Sequence, residues 1–460
     1  MYDVLVIGSG PGGYVAAIRA AQYGLRVGVV EKRSQLGGVC LHVGCIPTKA
    51  LLHSADVYEL FLHGEEHGIS CDNLRLDWAR VQARKNKIVL KHAKGIEYLF
   101  KKHKIETISG HGRLKGNGRV EVEGKPELEA KGIILATGSE ARMLPGLAPD
   151  REQILTNIEV LGLERVPKSL AIIGAGAVGV EFASMYRRFG SEVTILEMLP
   201  RVVPLEDEEV SAELERAFRK QEIVCHTGAR VDRVEKGASD VRVEFHDASG
   251  KSQSLAAEKL LVAIGRKPNT DDVGLENTAI RTDRGFLPVD GYMATAEPGV
   301  YAIGDIVAAS PQLAHVASME GLVAAGHIAG RPVRPVNYRR IPGCTYCEPQ
   351  IASVGLTEAQ ARAEGYRVKT GKFAFAANSK ASIVGAHGGF VKVVAEEQYG
   401  EILGAHIIGP SATELIAEMV TAIESEATVD SMMSAIHAHP TLAEAMGEAF
   451  NAVRGMTIHA

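Results

Sequence analysis

The chain has 460 residues, 46% of them hydrophobic and 23% charged, which is the balance of a soluble globular protein with room for several domains with full cores. A formal net charge of −5 excludes a general electrostatic pull toward nucleic acid or anionic membrane. Six cysteines in a chain this long exclude a disulfide scaffold, and no apolar run reaches the ~18 residues of a transmembrane span.

Met1-Tyr2-Asp3 leads straight into the apolar run Val4 to Ile7, with no basic segment and no small-residue cleavage site. No secretory signal is expected, and the expected localisation is cytoplasmic, where a stable structural disulfide is disfavoured. Residues 4 to 31, VLVIGSGPGGYVAAIRAAQYGLRVGVVE, read as a strand, a glycine-rich turn, a helix and a second strand ending in an acid. In such a unit Gly8 makes the tight turn, Gly10 lets the backbone approach a pyrophosphate, and Gly13 lets helix and strand pack closely. The helix start supplies unpaired N–H groups and partial positive charge, and Glu31 is placed to bond ribose hydroxyls.

GGVCLHVGCIPTKALL follows, residues 37 to 52, with Cys40 and Cys45 five positions apart. On a regular helix that spacing means about 7.5 Å along the axis and roughly 140° around it. The Cα atoms are then ~8.6 Å apart, beyond the usual disulfide limit of about 7 Å. A bridge needs a distorted turn, which Gly44 and Pro47 would permit, and a distorted bridge is easily reduced. That favours redox catalysis. Two alternatives stay open: a zinc set of Cys40, His42, Cys45 and His53, off the usual ligand spacing, and two plain core thiols.

Further on, GIILATGSE (132 to 140) is an apolar strand running into a glycine turn. Residues 170 to 197, LAIIGAGAVGVEFASMYRRFGSEVTILE, repeat the first unit at a constant offset of 166: Gly174, Gly176, Gly179, Gly190 and Glu197 align with Gly8, Gly10, Gly13, Gly24 and Glu31. A doubled unit is far more specific than a lone glycine motif. KLLVAIGRKPNT (259 to 270) and GVYAIGDIVA (299 to 308) are again strands ending in glycine turns. The predicted fold class is α/β, with two Rossmann-like dinucleotide-binding domains and an α+β C-terminal domain. Boundaries are expected near Pro145-Gly146, Asn269-Thr270 and Pro342-Gly343.

After residue 342 KFAFAAN, GFVKVVAEE and EILGAHIIG read as strands of an antiparallel sheet, and SATELIAEMVTAIESEAT as an amphipathic helix. Docking or dimerisation is the expected job of this part. Cys344 and Cys347 form a C-x-x-C with no second half, so they read as core residues; Cys71 and Cys225 look isolated. Thiol exchange needs a base. His439 in HAHPTLAEAMGEA is the candidate, with Pro440 expected to start a helix and Glu444 to orient the imidazole. His437 and other histidines compete for that role.

These stretches, in this order, resemble the flavin-dependent pyridine nucleotide disulfide oxidoreductases. The resemblance runs end to end, and the C-x₄-C with HPT-x₂-E carries most of its specificity. It implies an FAD-binding domain (1–145), an NAD-binding domain (146–270), a central domain completing the first (271–341) and an interface or dimerisation domain (342–460). It implies that Gly8, Gly10, Gly13, Glu31, Lys49, Gly112, Thr137, Gly138, Ser139 and Asp305 serve FAD, and that Gln312, Leu313, Ala314 and His315 line its ring. Gly174, Gly176, Gly179, Glu181, Glu197 and Gly265 would serve NAD, with Lys49 pairing Glu181. Cys40, Cys45, His439 and Glu444 would be catalytic, with no metal.

Among its members the motifs are most similar to those that oxidise protein-bound dihydrolipoamide. The implied partners are a lipoyl domain of an acyltransferase or a glycine cleavage carrier protein, an acyltransferase's peripheral subunit-binding domain, and a second copy in a homodimer. Neither nucleic acid nor membrane is expected. Glu197 argues for NAD over NADP, since a carboxylate repels a 2′-phosphate. His42, Val39, Val316 and Cys347 stand where the family usually has Asn, Thr, Lys and Thr. An inactive homologue keeping FAD as a structural element is the reading from another class; the presence of all four catalytic candidates speaks against it.

Overall fold

The structure, a computed structural model, describes residues 1–459 and divides into two compact units. The first gathers Met1–Leu51, Ala79–Arg142 and Arg266–Tyr338; the second gathers Leu52–Trp78, Met143–Gly265 and the chain from Arg339 on. Among the described residues no helix is long and apolar enough to cross a membrane.

The first unit is built on a parallel sheet in the order Glu106–Ser109, Val27–Glu31, Tyr2–Ile7, Leu128–Leu135. Val300–Ala302 adds to Leu128–Leu135, also in parallel. Antiparallel strands Arg119–Val122 and Gly112–Gly116 extend the other end of the same strand. Val4, Leu5, Val6, Val29 and Ile134 are buried, as expected of strands covered on both faces. Helix Pro11–Gln22 packs on helix Ala314–Ile328 through glycines. A Cβ on Gly12 would lie 2.9 Å from the Ala317 carbonyl oxygen, and one on Gly321 would lie 2.7 Å from that of Gly12. This close approach sets Ala314–Ile328 against the first glycine turn's helix.

The second unit repeats the plan. Its parallel sheet runs Val224–Thr227, Glu192–Glu197, Ser169–Ile173, Lys259–Val262, Ile154–Leu155. An antiparallel sheet of Arg230–Lys236, Val241–His246 and Ser252–Ala257 follows in sequence. Its C-terminal part is a five-stranded antiparallel sheet, Gly343–Thr345, Gln350–Gly355, Ile402–Gly409, Phe390–Glu396, Val368–Ala374. Helices Ala412–Glu424 and Glu444–Val453 bury Ile416, Met419, Met446 and Phe450 in the core cluster of that sheet.

Two local expectations need correction. KFAFAAN is strand only to Ala374; Phe375–Ala377 turn as a short 3₁₀ segment. The reason is capping: Asn378 Oδ1 accepts the Ala381 N–H at 2.9 Å and starts helix Ser379–Ile383. The C-terminal helix begins at Glu444 and not at Pro440. Ahead of it, Thr441 Oγ1–H donates to the Ala438 carbonyl at 2.7 Å and closes a turn there.

Candidate functional site

The two glycine turns have the same geometry. Gly8 and Gly174 have φ of +105° and +106°, and a Cβ on either would strike a carbonyl oxygen of the neighbouring chain, Ala136 at 2.3 Å or Ala263 at 2.4 Å. A Cβ on Gly13 or Gly179 would lie 2.0 or 1.9 Å from the Gly8 or Gly174 oxygen. Gly10 and Gly176, the residues just before each helix, face open space instead, with nothing within 4 Å. The first and third glycines are therefore demanded by packing, while the second leaves a cradle that a side chain would fill. Backbone N–H groups at the helix start border that space, which suits a pyrophosphate.

Behind each turn an acid is locked in place. Glu31 Oε2 accepts the Ser9 N–H (2.9 Å) and Oγ–H (2.5 Å), and Oε1 accepts the Arg33 N–H at 2.8 Å. Glu197 Oε2 accepts the Ala175 N–H at 2.6 Å and Oε1 accepts the Leu199 N–H at 2.8 Å. Glu31 Oε1 and both Glu197 oxygens keep lone-pair capacity for a ribose hydroxyl.

Ser9 also ties the first turn to the cysteine segment. Gly37 N–H donates to the Ser9 carbonyl at 3.1 Å. Gly37 and Gly38 both have positive φ, and a Cβ on Gly38 would lie 2.6 Å from Gly10 Cα. Helix Gly38–Val43 starts there, carrying Cys40 beside the cradle. It breaks at Gly44, and a second helix, Cys45–Leu62, starts directly after. A Cβ on Gly44 would lie 3.0 Å from the Val39 oxygen and 3.1 Å from Cys40 Cα. The break folds Cys45 back onto Cys40, as the spacing required. Thr48 seals it, its Oγ1–H donating to the Gly44 carbonyl at 2.7 Å.

Cys40 and Cys45 are in contact through their side chains. Cys40 donates its S–H to the Cys45 sulfur, and that bond, with burial, drives its pKa far above the ordinary thiol value. The Cys45 backbone N–H and the Lys49 ammonium pull the other way. The two sulfurs so arranged do not ionise independently. His42 Nε2 is engaged with the Leu36 carbonyl at 2.8 Å.

Residues from three distant segments converge in the same unit. Thr137 Oγ1–H donates to the Asn269 carbonyl (2.6 Å), and Asn269 N–H to the Gly138 carbonyl (2.8 Å). Ser139 Oγ–H donates to the Asp305 carboxylate. Arg266 donates to Ser139 Oγ and its carbonyl, both at 2.6 Å. Gln312 Nε2–H donates to the Asp305 carbonyl at 3.2 Å, and Leu313, Ala314 and His315 start the helix that follows. Gly112 lies in a strand against Ile7 and Val30, and Gly265 (φ +106°) faces open space. Glu181 is buried in the second unit, where Oε1 accepts the Tyr346 N–H at 3.0 Å.

In the second unit His439 is exposed, and its Nδ1–H donates to Glu444 Oε1 at 2.9 Å, leaving Nε2 as the basic atom. Glu444 Oε2 accepts the Thr441 N–H at 2.8 Å. That backbone bond, with His439, holds the Glu444 carboxyl below its usual range. Cys347 is buried, with its thiol on the Pro349 carbonyl, and burial pushes its pKa well up, as suits a core residue. Among the described residues no three His, Cys, Asp or Glu side chains are grouped to hold a metal.

Sequence reasoning missed Ser9, Arg266 and Asn269, whose residue types carry no signal of their own.

The pattern of the pyridine nucleotide-disulphide oxidoreductases matches residues 2–321, and that of their dimerisation domain matches residues 341–450. Similar proteins include the dihydrolipoyl dehydrogenases of Bacillus subtilis, 45% identical, and Zymomonas mobilis, 46% identical; both matches span 100% of this chain and 99% of the relative. Among solved structures, LpdA from Mycobacterium tuberculosis superposes with a TM-score of 0.90 at 28% identity, covering 97% of this chain and 99% of that one. The HOCl-induced flavoprotein disulfide reductase RclA from Escherichia coli gives 0.87 at 26% identity, covering 98% and 99%. With two cradled glycine turns, a contacting thiol pair and full-length matches, the chain belongs to the pyridine nucleotide-disulphide oxidoreductases, flavoproteins that work with FAD and NAD.

Proposed function

We propose that the chain is a dihydrolipoyl dehydrogenase, oxidising a protein-bound dihydrolipoamide to its cyclic disulfide and delivering the electrons to NAD⁺. The observation that carries this is the Cys40–Cys45 pair, folded into contact at Gly44 directly behind the first glycine turn. The naming of the full-length relatives supports the choice of substrate.

In this reading Gly8, Gly10, Gly13, Glu31, Lys49, Gly112, Thr137, Gly138, Ser139, Asp305 and Gln312 to His315 hold FAD. Gly174, Gly176, Gly179, Glu181, Glu197 and Gly265 hold NAD. Residues 1–145, 146–270, 271–341 and 342–460 are then the FAD, NAD, central and interface domains. FAD, when bound, supplies the two-electron chemistry that links the dithiol to NAD⁺.

His439 of one protomer serves the cysteines of the other. Its Nε2 takes a proton from one substrate thiol, and Glu444 stabilises the imidazolium that results. The thiolate attacks Cys40 of the oxidised pair; a mixed disulfide forms and the Cys40–Cys45 bond breaks, leaving the electron pair on Cys45. The second substrate thiol attacks the substrate sulfur of the mixed disulfide, and its proton passes to the Cys40 thiolate that it displaces. One dithiol is oxidised, one protein disulfide is reduced, and the Lys49 ammonium favours the thiolate formed.

The partners in this reading are a lipoyl domain, from an acyltransferase or a glycine cleavage carrier protein, and an acyltransferase's peripheral subunit-binding domain. The setting is the cytoplasm. The test is NAD⁺ reduction by dihydrolipoamide with FAD-loaded protein, beside NADP⁺ and beside NADH with oxidised glutathione. Fast turnover with NAD⁺ alone, abolished in Cys45→Ser while FAD stays bound, is expected. An FAD-loaded protein inert toward dihydrolipoamide removes the reading.

A further inference from the structure

Glu320 is fully buried in helix Ala314–Ile328, yet it is not an idle core acid. Its Oε2 accepts the Gly304 N–H at 2.5 Å. Its Oε1 accepts the Ser310 Oγ–H at 2.6 Å and the Tyr338 O–H at 2.7 Å. A buried carboxylate is tolerated only when such donors satisfy it, and here three do.

The donors are not scattered. Gly304 and Ser310 bracket one arc of backbone, and inside it sits Asp305, whose carboxylate takes Ser139 and whose carbonyl takes Gln312. Gly304 enters the arc at φ +74°, where a Cβ would lie 3.1 Å from Ala317 Cβ. The arc is thus pressed onto the helix that carries Glu320 and pinned at both ends by one carboxylate. The same helix packs through Gly321 against Gly12, next to the first pyrophosphate cradle.

We infer that Glu320 is a positioning residue for the flavin: by pinning both ends of the arc 304–310 it fixes Asp305 and Gln312 in the FAD site. This rests on the assignment of Asp305 to that site. Glu320→Gln keeps the shape but removes the charge: the Ser310 and Tyr338 hydroxyls must turn to accept from the amide, and three charge-assisted bonds become weaker neutral ones.

The test is FAD affinity of the full-length protein, from titration of the apoprotein followed by flavin fluorescence, with the visible spectrum of the loaded form. Glu320→Gln is expected to raise the FAD dissociation constant by about tenfold or more and to shift the flavin bands, with Tyr338→Phe and Ser310→Ala giving smaller changes in the same direction. Affinity and spectrum unchanged in Glu320→Gln overturn the inference. If that variant does not fold, unchanged affinity in both Tyr338→Phe and Ser310→Ala overturns it. Asp305→Asn separates the two ideas. Weakened FAD binding there with none in Glu320→Gln defeats the inference alone. Unchanged binding in Asp305→Asn removes the assignment and the inference with it.

Discussion

Glu31 and Glu197, one in each glycine-turn unit, take backbone donors from equivalent places: Ser9 and Ala175 on one oxygen, Arg33 and Leu199 on the other. Each donor is 166 positions from its counterpart, the offset of the sequence repeat. The match reaches below the glycines to the acid behind each turn, and the one difference is Ser9, whose hydroxyl adds a bond that Ala175 cannot make.

Cofactor choice should therefore turn on Glu197. Glu197→Gln removes the charge that repels a 2′-phosphate and weakens the hold on a ribose hydroxyl. The KM for NAD⁺ is expected to rise about tenfold, with NADP⁺ turnover gaining. Steady-state kinetics with both nucleotides checks this; an unchanged preference would deny Glu197 its ribose role.

The three glycines of each turn should fail differently. Gly176→Ala places a methyl in open space, so the fold should survive while NAD⁺ binding weakens by at least about tenfold. Gly179→Ala puts a Cβ 1.9 Å from the Gly174 oxygen and should destabilise the protein by several kcal/mol, on the order of 2–4. Thermal melts and NADH titration separate the two. A Gly176→Ala protein that binds NADH normally would show that the cradle is not the phosphate site.

What was legible in the sequence was local. The glycine spacings, the apolar runs before them and the C-x₄-C each lie within about thirty residues, where backbone geometry speaks through residue type. What escaped depends on distant pairing: Arg266 bonds Ser139 across 127 positions, and Glu320 gathers Gly304, Ser310 and Tyr338. An arginine or a glutamate has many surface uses, so its type alone carries little. Pro440 misled because a proline at N1 suits a helix, but here the helix waits for Glu444.

The His439–Glu444 bond should matter to one half-reaction only. His439→Gln is expected to slow dithiol reduction of the enzyme by ~10²–10⁴-fold while NADH oxidation by an artificial acceptor stays near normal. Glu444→Gln should give a smaller loss of the same kind. Stopped-flow measurement of each half-reaction decides it, and equal slowing of both would make His439 structural.

Glu348 is half-buried, with its carboxyl in the field of Arg188, Asp56 and Glu59. Arg188 itself is buried, bonding Asp56 and the Ser184 carbonyl. Burial pushes Glu348 up to about 7; Arg188 opposes the shift, and Glu59 and Asp56 add to it. The sign follows from proton binding. Between the unfolded pKa near 4.3 and the folded value the native state holds a proton that the unfolded chain has lost, so stability falls as pH rises through that window. Below it both states are protonated and nothing is lost; above it the full penalty stands, on the order of 3–4 kcal/mol. Glu348→Gln keeps the shape without the charge, and Arg188 keeps Asp56 and Glu59 as partners. The variant should therefore melt higher than the parent at pH 8, with the difference shrinking steadily toward pH 5. Melting curves across that range check it. A difference that stays constant from pH 5 to 8 would mean that Glu348 does not change its charge there, and that the Arg188 cluster holds it ionised.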